Sequence, residues 1–156
     1  MFNKNQVVID DDFLCLTLDN FSYLDWAGEL EIESERIDGS DSEFDGFLAS
    51  CNFFLAHKDE IESLLVIVAS NYYLKNVLPK KDRYEDVFDI RLDELGKSED
   101  IKKLIRLKKI YIDLEKREAE SLGFLFNCKW DPEHGFGVKL MSLTECETGG
   151  ADVAFS

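Results

Sequence analysis

Between positions 122 and 130 the chain alternates strictly. Leu122, Phe124, Phe126, Cys128 and Trp130 fall on one side, and Gly123, Leu125, Asn127 and Lys129 on the other. A period of two predicts a β-strand with one buried face. Asp131-Pro132-Glu133-His134-Gly135 then supplies turn chemistry, and Phe136, Val138 and Leu140 resume the alternation. Gly149-Gly150 reads as a second turn, with Val153 and Phe155 on one side of a last short strand. The tail of the chain is thus predicted to be a β-meander, and the preceding segments have to supply its cover.

Two strands are expected near the start, at 13–18 and 26–33, separated by a turn around Asp19, Asn20 and Ser22. In the second, Leu30 and Ile32 point inward while Glu29, Glu31 and Glu33 share the outer face. Three carboxylates in a row repel one another unless they are solvated, opposed by lysines of a neighbouring strand, or used to dock something basic. Ser40 or Asp41 can cap the helix that follows, and Glu43 suits its first turn. Phe44, Phe47, Leu48, Cys51 and Phe54 or Leu55 keep helical spacing, as do Ile61, Leu64, Leu65, Val68, Ala69 and Tyr72 after Asp59. Pro79 ends the second helix. Residues 80–100 read as a polar connection with one short helical or extended piece. A short helix starts at Ser98, and Ile110, Ile112 and Leu114 form another strand. Strands segregated from a central helical pair predict an α+β fold in one domain spanning 1–156, with a mostly antiparallel sheet.

Charge narrows the function. The net charge is −15, and residues 10–45 hold 13 acids against one base, Arg36. Such a field repels nucleic acid and anionic membranes and attracts a basic protein partner, although high acidity also serves plain solubility. Glu29, Glu31, Glu33, Asp38 and Asp41 are one candidate partner-binding set, and Asp82, Glu85, Asp86 and Asp89 a second. Lys102, Lys103, Arg106, Lys108 and Lys109 form a basic cluster expected to pair with the acidic second strand across the sheet or with acids of the 82–100 link. No window reaches the roughly 18 apolar residues of a membrane span, and no apolar signal core follows Lys4, so a cytoplasmic chain is expected. Cys15, Cys51, Cys128 and Cys146 are scattered, as reduced, space-filling cysteines are.

Trp130, Asp131, Glu133, His134 and Gly135 are the residues that most invite chemistry. Glu133 and His134 could work as an acid–base pair or join a metal site, but metal centres usually need three or four ligands. A structural turn accounts for the same residues: Pro132 presets φ, Gly135 supplies a left-handed position, and the polar side chains bond nearby backbone. No cofactor is expected.

The segment Trp130-Asp131-Pro132-Glu133-His134-Gly135-Phe136-Gly137, with Gly150 and Asp152 after it, resembles the closing signature of a bacterial family of uncharacterised domains. Members of such families resemble the immunity proteins of polymorphic toxin systems. That resemblance implies a small cytoplasmic binder, monomeric or homodimeric, that neutralises a cognate toxin by covering it. The alternative is an acid–base or metal-dependent enzyme built on Glu133 and His134.

Overall fold

The computed structural model describes residues 2–10 and 12–156. Seven strands form one sheet in sequence order: β1 (Val8–Ile9), β2 (Phe13–Tyr23), β3 (Trp26–Glu35), β4 (Ile105–Ile112), β5 (Leu122–Cys128), β6 (Phe136–Ser142) and β7 (Glu145–Gly150). Every neighbouring pair is antiparallel except β3 and β4, which run parallel with Glu31 opposite Lys109 and Ile32 opposite Ile110. A parallel pair needs a crossover, and three helices occupy it: α1 (Asp41–Ala56), α2 (Lys58–Tyr72) and α3 (Lys81–Phe88). The fold is therefore α+β with a mostly antiparallel sheet, as the segregation of strands from helices predicts.

The core lies between the inner sheet face and α1 and α2. Leu14, Leu16, Leu30, Ile32, Ile110, Phe124, Phe126 and Val138 supply the sheet side, all essentially inaccessible to solvent. Phe47, Cys51, Phe54, Ile61, Leu65 and Ala69 supply the helical side. Phe54 joins them, its ring 6.2 Å from Phe124 and 5.4 Å from Tyr23. At the other end of α2, Tyr72 and Tyr73 close on Trp130, and Tyr72 lies 5.0 Å from Phe136. Each fully buried Phe or Leu contributes about 1.5–3 kcal/mol of transfer free energy.

Several expectations need correction. The 13–18 strand does not turn at Asp19 and Asn20; it bulges there and continues to Tyr23. The hairpin turn is Leu24-Asp25, both at positive φ, the two-residue geometry that matches strand twist. Leu24 tolerates it because its side chain is buried and its N–H donates to Glu62 Oε1 at 2.9 Å. The strand expected at Ile110 begins at Ile105, with Ile105 and Leu107 inward and a bulge between Leu107 and Lys109.

The meander also closes differently. Gly149-Gly150 is not a turn but the end of β7, the chain reversing instead around Leu143 and Thr144. Val153 and Phe155 belong to a 3-10 turn, Ala151–Phe155, that folds back over the outer sheet face. Consequently β5 is buried on both faces, not one. The cause is steric. Gly123 and Gly137 leave room on that face, and a Cβ on Gly123 would stand 1.8 Å from Ala154 O.

Residues 80–100 resolve into α3, an irregular stretch that buries Leu92, and a 3-10 helix, Ser98–Lys103. All four cysteines are free, and burial raises the Cys51 and Cys128 thiols to about 12. No helix among the described residues is long and apolar enough to cross a membrane.

Candidate partner-binding surface

The outer face of β3 carries the first acidic set. Parallel pairing sets Lys109 of β4 between two of its members: Nζ is 3.3 Å from Glu31 and 3.2 Å from Glu33. Partial burial works against the Lys109 charge, but Glu33 and Glu31 hold the ammonium above its ordinary range. The row of like charges is thus relieved within the chain at two of three positions. Glu29 stays exposed and forms no ion pair among the described residues.

Past β3 the chain turns sharply, and Glu43 organises the turn. Its carboxylate accepts the backbone N–H of Ile37, of Asp38 at 2.6 Å and of Gly39 at 2.9 Å, with Arg36 Nε 3.5 Å away. Burial disfavours that charge, but the three amides outweigh it and lower its pKa. This clamp presents Asp38 and Asp41 to solvent. The Ser40 side chain, together with the Ser40 N–H that Asp38 accepts at 2.8 Å, holds the Asp38 carboxyl below the usual range. Ser40 takes the N-cap position of α1, yet its hydroxyl meets Ser42 at 2.8 Å instead of capping.

The second set lies on and beside α3. Asp82 and Asp86 are exposed, and Asp89 ends the helix in a left-handed conformation. Glu85 is half-buried and pairs with Lys81 at 3.6 Å.

The basic cluster is largely consumed by internal acids. Lys102 reaches Glu99 at 2.9 Å, Glu62 at 3.6 Å and Asp25 at 3.9 Å; Lys103 reaches Asp100 at 3.6 Å. Arg106 lies over Trp26, 4.6 Å from the ring. Of the nine carboxylates singled out by sequence, Glu29, Asp38, Asp41, Asp82, Asp86 and Asp89 therefore face solvent with no cation within ion-pair distance among the described residues.

The Trp130–Gly135 bend is built locally. Trp130 is buried against Tyr73 and Phe136. Asp131 Oδ1 accepts the His134 backbone N–H at 3.1 Å and lies 3.0 Å from His134 Nδ1. Gly135 sits at φ +86, where a Cβ would come 2.5 Å from Phe126 O. Glu133 and His134 are exposed. No group of three or more metal-ligating side chains occurs there.

Two features escaped the sequence. Glu43 was legible as a first-turn acid, not as a clamp on three amides. Lys139 reads as a solvent-facing residue of β6 but is almost fully buried. The glycines around it, Gly123, Gly137 and Gly149 on the same outer face, were the available signal, because glycine within strands marks close backbone approach.

No curated protein and no solved structure matches the chain. Residues 17–155, from within β2 to the last 3-10 turn, match a domain of unknown function, DUF6985, and the chain belongs to that family.

Proposed function

We propose that this protein is a cytoplasmic binding module with no reaction of its own, an immunity-type protein that neutralises a cognate bacterial toxin. The mechanism is occlusion: exposed carboxylates cover a basic cleft of the partner and deny it to substrate. The observation that carries this reading is the surplus of unpaired acid. After internal pairing, Glu29, Asp38, Asp41, Asp82, Asp86 and Asp89 still face solvent in a chain of net charge −15. Glu31 and Glu33 contribute less, because Lys109 already stands against them. Complementary charge chiefly raises the rate of encounter and suppresses wrong partners.

The test is co-purification with the product of the neighbouring reading frame. Charge reversal of Glu29, Asp38 and Asp41 to lysine, and separately of Asp82, Asp86 and Asp89, identifies the face in use. One triple variant is expected to lose the partner while the other retains it. Full retention by both would exclude an electrostatic surface of this kind.

A further inference from the structure

Lys139 is out of place for a structural lysine. It lies in the middle of β6, opposite Gly123 and Glu147, with 2 % of its surface exposed beneath the Ala151–Phe155 turn. A buried ammonium is costly unless well paired. Its nearest counter-ion among the described residues is Asp113 Oδ2, at 3.9 Å, too far for a hydrogen bond. Burial pushes the amine below its ordinary pKa, with Asp113 opposing only in part. Groups perturbed by burial in a cleft mark functional sites.

Lys139 does line a cleft, of about 820 Å³, formed by 33–37, 111–116 and 154–156 together with Phe13. The cleft sits at the carboxyl ends of β3 and β4, the parallel pair, which is where open sheets containing parallel strands tend to hold ligands. Its walls are apolar where they are not charged. Phe155 packs on Tyr111 with ring centroids 4.3 Å apart, and Phe13, Ile37 and Phe155 are among the most exposed large apolar side chains. Glu33, Glu35, Asp113 and Glu115 also line it and outnumber Lys139, Arg36 and Lys116, so a multiply charged anion is disfavoured relative to a single charge that meets the ammonium.

We propose that this cleft binds a small organic carboxylate with an apolar body, its charge received by Lys139 and its body held by Tyr111 and Phe155. The site shares Glu33 with the acidic set of β3, but small-ligand binding at Lys139 is read without the partner and stands or falls independently of partner binding. A carboxylate would give Lys139 the close, charge-assisted bond it lacks, and the aromatic pair would cover the rest of the ligand.

The test titrates the full chain with phenylpropionate, its uncharged amide phenylpropionamide, and inorganic phosphate, following backbone amide shifts. The acid is expected to shift residues of 33–37, 111–116 and 154–156, and to bind about tenfold or more tighter than either control. Lys139→Met should weaken it about ten- to a hundredfold with the thermal midpoint held or raised, since an apolar isostere removes a buried charge. Phe155→Ala, at an exposed position, reads the same site without touching the core and should weaken binding several-fold. Absence of binding by the acid, equal binding of amide or phosphate, or wild-type affinity in both variants would overturn the proposal.

Discussion

Glu43 and Lys139 show opposite outcomes of burying a charge. Glu43 is satisfied by three backbone amides and the Arg36 guanidinium, so its charge is held by the fold. Glu43→Gln keeps the shape but weakens that clamp, and should cost about 1–3 kcal/mol in denaturant unfolding. The sign of its pH dependence follows from the lowered pKa. The wild type keeps this stabilisation above the ordinary value of 4.5 and loses it as pH falls from there through the lower folded-state value. The Gln variant should therefore show a flatter acid limb; an identical limb in both proteins would contradict the assignment. Lys139 works the other way. Its lowered pKa means that stability rises as pH climbs from that value toward the ordinary 10.5, because the unfolded chain there holds the proton more readily. A group that weakens the fold where it is charged calls for a use other than stability.

At the scale of elements, the outer sheet face decides the ending of the chain. Gly123 and Gly137 admit the Ala151–Phe155 turn, which roofs the cleft and buries Ala154. Gly123→Ala would place a methyl against Ala154 O, so the turn has to lift. The expected cost is about 1–3 kcal/mol, with faster hydrogen exchange confined to 151–156; protection unchanged there would refute the close approach. These glycines also explain what could be read beforehand. Alternation placed β5 and β6 because apolar periodicity survives in the sequence, and the stripe from Phe44 to Phe54 placed α1 in the same way. Leu24-Asp25 was invisible as a turn because the positive φ of Leu24 is stabilised by tertiary burial and Glu62, and leucine is no turn residue. Val153 and Phe155 looked like a strand because a 3-10 turn with two large apolar residues carries the same short-range spacing.

The parallel pairing of β3 with β4 shapes the whole molecule's field, and no local pattern discloses it. It brings Lys109 to Glu31 and Glu33, so a face that reads as strongly acidic is partly neutral. The acid sets were legible in composition, but which of their members remain unpaired depended on that register. Lys109→Met should unmask Glu31 and Glu33. It is expected to destabilise the fold, through two carboxylates left facing each other, while quickening capture of a cationic partner at low salt if β3 belongs to the docking face. An unchanged rate would place the docking face elsewhere, on the α3 set.

The central claim is that exposed carboxylates guide a basic partner onto this protein. The most direct measurement is the association rate constant with the neighbouring reading frame's product, by stopped-flow, across a range of salt concentrations. The account predicts a steep fall of that rate between low and high ionic strength, with dissociation changing far less. An association rate that stays flat across the same range would contradict it.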